Sequence, residues 1–329
     1  MEEWKLTKYI DIIKQKTLKF AHDNQCIEYR ATEAGSIRST LQPEFSSSHI
    51  EADTMLVYHL NIISESSPKQ NVVVRATGTD IMIILLYHVP NFKLNVWMEL
   101  GHSSDNTRRY VHITELARHL GPVFCKALPG YHALTGCDYT AAFQGKGKVN
   151  PLKKAEINPL HLESLGKLGE NTSFMDKDNS LEKYICSLYG QGRLSSVNEA
   201  RLKIFLQKYK PADEDNPLEK IHGIDAGMLP PCRNVLMLKF ARSNYVAYLW
   251  KHANRKDPLK DMSPTEHGWK QENDIFQPVW FTCSQIPTEL SRTMQTNDID
   301  GEEDHNDLDK CIFDTESDND ESDHDDYDC

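Results

Sequence analysis

Three short acidic clusters, far apart in the chain, carry the side chains best suited to joint chemistry. Glu51 and Asp53 stand in Ile-Glu-Ala-Asp-Thr, Asp80 in Gly-Thr-Asp, and Asp138 in Thr-Gly-Cys-Asp-Tyr. Each adjoins apolar sequence, where an unpaired carboxylate is expensive to bury. Several carboxylates gathered at one place repel one another and all stay ionised only with cations between them. Hard oxygen donors of this kind suit Mg²⁺ or Mn²⁺. Two such ions about 4 Å apart can activate water and stabilise the leaving oxygen in phosphodiester hydrolysis. Each acid also has a plainer role: Glu51 and Asp53 at a helix N-terminus, Asp80 as a cap, Asp138 in a turn.

The segment after Asp138 ends in Gly145-Lys146-Gly147-Lys148. The two glycines let backbone N–H groups come close to a phosphate, and the two lysines add the charge that favours contact with one. A solvated loop is the bland alternative. His132 reads as a packed or turn-forming histidine rather than a general base.

The elements that must position these residues follow from periodicity. Trp4, Ile10, Ile13 and Leu18 predict a helix over 4–21, and Cys26–Tyr29 a short strand. The Ser/Thr/Gly/Pro-rich stretch 33–48 reads as loop. A helix is expected from Ile50 to Ile63, capped by Ser48 or His49, with Glu51 and Asp53 in its first turn. A buried strand at Asn71–Thr77, an apolar helix over 81–88, strands at Lys93–Leu100 and Tyr110–Ile113 and a helix at Thr114–His119 complete an α/β pattern. That alternation predicts a parallel sheet flanked by helices, with ligands at the carboxyl ends of its strands, where Asp80 lies. Residues 151–178 are polar and read as a linker. Helices are expected over Leu181–Leu188, Val197–Tyr209 and Cys232–Ala253, the last with Pro230-Pro231 at its start. Its aromatic stretch Tyr245–Trp250 reads as core rather than a base-stacking platform. Residues 254–290 show no clear period.

The Glu51 and Asp80 blocks, together with Leu128-Pro-Gly-Tyr-His-Ala-Leu-Thr-Gly-Cys-Asp-Tyr-Thr-Ala-Ala-Phe-Gln-Gly-Lys-Gly-Lys, resemble a large group of invertebrate proteins of mobile-element (transposon) origin. Leu229-Pro-Pro, Arg242-Ser-Asn-Tyr and His267-Gly-Trp extend the resemblance over residues 48–280. More distantly, the acidic blocks resemble flap-endonuclease (XPG-type) nucleases of the PIN-like fold. This resemblance implies a PIN-like domain over 1–150, incomplete at its N-terminus. Periodicity predicts a helical extension over 151–290, and low-complexity composition a disordered acidic tail over 291–329, where members of the resembled group often end in a Cys-rich segment instead. The resemblance implies Glu51, Asp53, Asp80 and Asp138 as catalytic metal ligands for Mg²⁺ or Mn²⁺. Gly145, Lys146, Gly147 and Lys148 would grip nucleic acid, DNA ahead of RNA. Gly78 stands where the resemblance asks for a further Asp, and no acid ahead of Glu51 is assignable to a first strand. The expected protein is an N-terminally shortened relative with weakened or lost nuclease activity, or a non-catalytic binder of nucleic acid or protein.

The chain of 329 residues has 49 acids and 37 bases, a net charge of −12, which at first argues against a nucleic-acid partner. Residues 298–329 hold 16 of the acids and one base, Lys310, leaving 33 acids and 36 bases elsewhere. The tail therefore carries −15 and the body +3, and the body can meet an anion. The tail's opposite charge makes it a competitor for the Lys146/Lys148 surface. The longest apolar run, Ile81–Tyr87, is far short of the roughly 20 residues a membrane span needs. No secretory signal is recognisable, and the cysteines have neither CxxC nor zinc-finger spacing. An intracellular protein with reduced thiols is expected, in the nucleus or outside it.

Overall fold

The computed structural model describes residues 16–22, 24–101, 107–171, 179–209 and 225–282. The first elements are strands. β1 (Leu18–His22), β2 (Gln25–Ala31) and β3 (Ile37–Leu41) form an antiparallel sheet in that order. Leu18 pairs with Tyr29, and Ile27 with Leu41. This corrects the helix expected over 4–21 at its C-terminal end; residues 1–15 lie outside the described ones. Leu18 and Phe20 share one face and pack on the buried Tyr29, a period of two hidden by the lysine-rich pattern before it. It also corrects the loop expected over 33–48. A turn at Thr32–Ser36 reverses the chain, and Ile37–Leu41 returns as a strand in spite of its Ser/Thr content.

The central part follows the expected α/β order. It runs α1 (Ala52–Ser66), β4 (Asn71–Arg75), α2 (Thr79–His88), β5 (Asn95–Leu100), β6 (Arg109–His112), α3 (Ile113–Leu120) and α4 (Pro122–Thr135). β4 and β5 are parallel, with α2 as crossover, whereas β6 runs antiparallel to β5. The sheet is thus mixed and three-stranded, not wholly parallel. The reason lies in chain length. Only eight residues separate Leu100 from Arg109, and a parallel return needs a crossover of about a dozen or more. α2 is apolar nearly all round, so it is enclosed: Ile81, Ile84 and Leu85 have no exposed surface.

The rest is helical: α5 (Val149–Ile157), α6 (Pro159–Lys167), α7 (Ser180–Leu188), α8 (Val197–Lys208) and α9 (Arg233–Lys251), followed by a hairpin, β7 (Trp269–Glu272) and β8 (Ile275–Pro278). α5 and α6 replace the linker expected over 151–178, of which residues 172–178 lie outside the described ones. Nor does the packing break at residue 150. One cluster of buried apolar side chains runs from Val57 through Ala155, Leu165 and Tyr184 to Ala253. Tyr248 and Trp250 of α9 are buried in the unit that ends at Thr282, as core rather than platform. The tail over 291–329 lies outside the described residues. Among the described residues no helix is long and apolar enough to cross a membrane, and the five described cysteines are free.

The Arg242-Ser-Asn-Tyr motif has a structural use. Arg242 Nη1 donates to the Gly268 and Val279 carbonyls at the hairpin (3.2 and 2.8 Å). Ser243 Oγ donates to Ala133 of α4 (3.2 Å), and Asn244 Oδ1 accepts from Gly169 N (2.8 Å). Tyr245 meets Trp269 edge-on, with ring centroids 5.1 Å apart. One α9 turn thereby ties together α4, the segment after α6, and β7.

α4 and α6 pack in direct backbone contact at Gly130, where a Cβ would fall on the Leu165 carbonyl. Gly130→Ala is therefore expected to destabilise the protein by about 2–3 kcal/mol, as overpacking of a rigid contact does. Denaturant unfolding checks this, with a reduced midpoint and an unchanged slope expected.

Candidate functional site

All four candidate carboxylates lie in one neighbourhood. Glu51 is the N-cap of α1, in place of the expected Ser48 or His49, and Asp53 lies in its first turn. Asp80 lies in the first turn of α2, whose N-cap is Gly78. Both helix starts stand at the carboxyl end of the β4–α2 passage, where the helix dipoles favour anions. Asp138 arrives from the other side. Gly136 leaves α4 at φ +119°, and an added Cβ would sit 2.8 Å from Ala142 Cα, so the turn depends on glycine there. Cys137 and Thr140 then pair backbone to backbone (3.0 and 3.1 Å), which leaves Asp138 and Tyr139 at the tip of a two-residue turn.

The approach to α1 is anchored from the far end of the chain. Ser48 N donates to Lys256 O (3.2 Å), and His49 Nε2 bonds to Arg255 O (2.8 Å).

The charges respond to one another. Burial, then the Asp80 and Asp138 charges, raise the Asp53 carboxyl above its ordinary range. Burial raises Glu51 as well; the Tyr139 hydroxyl and Trp250 indole beside it offset part of this, and Asp53 and Asp80 add to it. Glu51 Oε1 and Trp250 Nε1 are nonetheless both enclosed without a well-formed hydrogen bond. A Cβ on Gly78 would lie 3.8 Å from Asp53 Oδ2, so Asp53 faces Gly78, the position at which the resemblance asks for a further Asp.

Asp80 differs. His132, only 3% exposed, holds Nε2 2.8 Å from Asp80 Oδ1. Lys148 Nζ lies 2.8 Å from His132 Nδ1 and 3.1 Å from Nε2. A carboxylate only accepts, so His132 Nε2 donates to Asp80, and Lys148 Nζ stands beside both ring nitrogens. The hydrogen bond from His132 is the main cause of the lowered Asp80 pKa, with Lys148 contributing. His132 is packed, as expected, but it also joins the site. Its partner is 52 residues away in sequence, and no local signal reveals it.

The set suits a hard divalent cation by its oxygens, by the orphaned Glu51 Oε1 and by the mutual repulsion at Asp53. By spacing it is incomplete. Among the described residues no three His, Cys, Asp or Glu side chains stand close enough together to hold a metal ion. Lys148 already supplies a positive charge toward Asp80. No acid from β1–β3 joins the set; Glu28 of β2 is paired with Lys19 and Arg30.

Gly145, Lys146, Gly147 and Lys148 border a cleft of about 530 Å³, with Lys153 and Lys154 of α5 on its wall. A Cβ on either glycine would meet nothing within 4 Å, so that backbone faces open space. Lys146 Nζ lies 4.2 Å from the centroid of the Tyr189 ring. Burial and the neighbouring Lys154 and Lys208 lower its pKa. Lys148 borders both regions: its side chain turns to His132, while its carbonyl accepts from the Tyr131 hydroxyl.

The fold and site thus define an α/β protein with a carboxylate cluster beside a lysine-rich cleft. No family model, curated protein or solved structure matches the chain.

Proposed function

We propose that the chain is a nuclease-like protein of PIN-like (flap-endonuclease-like) architecture and mobile-element ancestry that binds nucleic acid, with divalent-metal-dependent cleavage weakened or lost. The observation that carries this reading is the convergence of Glu51, Asp53, Asp80 and Asp138, from three distant segments, next to the lysine cleft. Clustered carboxylates near a phosphate-binding surface are what metal-assisted phosphodiester hydrolysis requires. Weakened chemistry follows from Gly78 and from Lys148, which takes up charge that a metal would otherwise balance.

A second reading, residual Mg²⁺- or Mn²⁺-dependent cleavage, is favoured by the buried, unpartnered Glu51 Oε1 and by Asp53. Glu51 and Asp53 would be the first oxygen donors to such an ion, whose bound water would be the nucleophile. As they stand among the described residues, the carboxylates fall short of a three-ligand site, which is why any cleavage is expected to be slow. His132 and Lys148 would keep Asp80 ionised and fixed in orientation.

Both readings are tested by hydrolysis of branched and single-stranded DNA with Mn²⁺, wild type against Asp138→Ala, alongside a binding titration. The expected result is salt-sensitive binding in both proteins, with slow or absent cleavage that Asp138→Ala abolishes. Cleavage that survives Asp138→Ala would overturn the site; absence of binding at low salt would overturn the function.

A further inference from the structure

α9 carries two cations at positions that face the interior. Lys239 is 7% and Arg242 4% exposed. Among the described residues neither is paired with a carboxylate. Lys239 Nζ donates to the Ala141 carbonyl and lies 4.5 Å from the Phe143 ring centroid. Arg242 spends Nη1 on the two hairpin carbonyls, and its guanidinium carbon lies 5.2 Å from the Trp280 ring centroid.

Both side chains line a cleft of about 240 Å³ between the Thr140–Gln144 segment, α8 and α9. Arg201 of α8 lines it too, and its Nη1 donates to Pro230 O. Aromatic rings of Tyr189 and Trp280 complete the wall. One carboxylate stands near the rim. Asp225 is exposed and already accepts from Gln144 Nε2 (3.3 Å) and Gly227 N (2.8 Å).

A buried charge without a counter-charge is costly, and a carbonyl offsets only part of that cost. Lys239 and Arg242 are three positions apart on one helix, so they also repel. Burial, with Arg242 adding to it, pulls Lys239 down to about 8. Among the described residues the charge at 239 meets only one carbonyl and one ring face, neither of which is a counter-charge. Three cations around one cleft do have a use if an anion enters it.

We infer that this cleft binds a phosphomonoester, its dianionic phosphate between Lys239, Arg242 and Arg201 and its organic part against Tyr189 and Trp280. Arginine's planar fork and lysine's point charge are the usual pairing for phosphate. Small-molecule pockets run from about 300 to 1,000 Å³, so this smaller, open cleft suits the phosphate and sugar of a mononucleotide, with the base toward its mouth. The phosphate could belong to a free mononucleotide or to the end of a nucleic-acid strand. None of the four carboxylates lines this cleft, although its Thr140 end adjoins the Asp138 turn, and the proposal does not depend on their role.

The test uses the full chain at constant ionic strength, with chloride as reference. Thermal shift and titration are run with inorganic phosphate, adenosine monophosphate, and an oligonucleotide bearing either a 5′-phosphate or a 5′-hydroxyl. Wild type is compared with Lys239→Met, and with Lys153→Gln as a control in the other cleft. Millimolar phosphate and the mononucleotide are expected to raise the melting temperature of wild type and of Lys153→Gln. Lys239→Met should melt at or above wild type, yet bind phosphate roughly tenfold or more weakly. A 5′-phosphate preference that also depends on Lys239 would assign the phosphate to a strand end, and preference for the mononucleotide to a free ligand. A wild type indifferent to every phosphate-bearing probe, or a folded Lys239→Met that responds as wild type does, would overturn the site.

Discussion

Replacing Lys146, Lys153 and Lys154 together by glutamine is expected to weaken DNA binding by about a hundredfold at low salt and to flatten its salt dependence. The three side chains line one cleft of about 530 Å³ beside the open Gly145 and Gly147 backbone. Their mutual repulsion is visible at Lys146, whose pKa falls through burial and through Lys154 and Lys208. A phosphate backbone in the cleft relieves that repulsion and releases its own counterions. Each phosphate contact contributes about 0.7–0.9 to the slope of log affinity against log salt, so three lost contacts lower it by about 2–3. Lys148 is left unchanged because it holds His132 and, through it, Asp80. The fold should tolerate the triple change. Its one described hydrogen bond, Lys154 Nζ to Ser187 O (2.7 Å), is exposed and is expected to contribute no more than about 1 kcal/mol. A fluorescence titration over a range of salt reads both quantities. An unchanged slope would mean that the cleft does not carry the nucleic acid.

How far the fold is legible in the sequence depends on how wide each element's apolar face is. α2 buries six of its ten side chains and β5 buries Val96, Met98 and Glu99, so their apolar runs mark them. β4, expected as a buried strand, is an edge strand that buries only Val74 and leaves Val73 53% exposed. Its three successive valines, rather than burial, mark it. α5 and α6 bury only a few residues each, among them Pro151, Ala155 and Leu165, and their polar remainder reads as linker. A local signal was there all the same. Asn158 caps α6 by accepting from Leu160 N (3.1 Å), and Pro159 follows at the first helical position. β7 and β8 are largely exposed, with Ile275 at 62%, so no inward alternation distinguishes them from loop.

The candidate acids were visible in the sequence, whereas the hydrogen-bonded neighbours of Asp80 were not. Acids beside apolar runs stand out because burial penalises them. His132 and Lys148 acquire their meaning only from Asp80, and Lys239 only from its buried position, which a helix rich in polar residues conceals. The Gly-Lys-Gly-Lys motif read as one phosphate-binding unit divides in the structure. Lys146 stays with the cleft while the Lys148 side chain joins the carboxylates.

Gly78→Asp separates a cation-seeking cluster from a set of helix caps. Gly78 has extended backbone (φ −72°, ψ 144°), and the nearest atom to an added Cβ is Asp53 Oδ2 at 3.8 Å. The substitution is thus free of steric strain, and aspartate caps a helix slightly better than glycine. If capping were all, the variant would gain a few tenths of a kcal/mol. The new charge, however, faces Asp53, whose carboxyl burial, Asp80 and Asp138 already push upward. Like charges about 4 Å apart repel by about 1–4 kcal/mol between bulk-water and near-surface conditions, so the variant should be less stable than wild type at neutral pH. The sign with pH follows. Asp53 and Glu51 are raised in the folded state, from 3.8 and 4.5, so their contribution to stability is present below those values and lost as pH rises through the folded ones. Asp80 is lowered and runs the opposite way, its contribution lost as pH falls through its folded value below 3.8. The deficit of Gly78→Asp should therefore narrow on acidification toward the range 3.8–4.5. Mn²⁺ should reverse it. Ligand at a hundredfold excess over its dissociation constant stabilises by about 2.7 kcal/mol, and the added carboxylate should make that gain larger than in wild type. Thermal unfolding with and without Mn²⁺ across this pH range decides the matter. An equal response to Mn²⁺ in both proteins, with a deficit independent of pH, would show that these carboxylates do not share a cation.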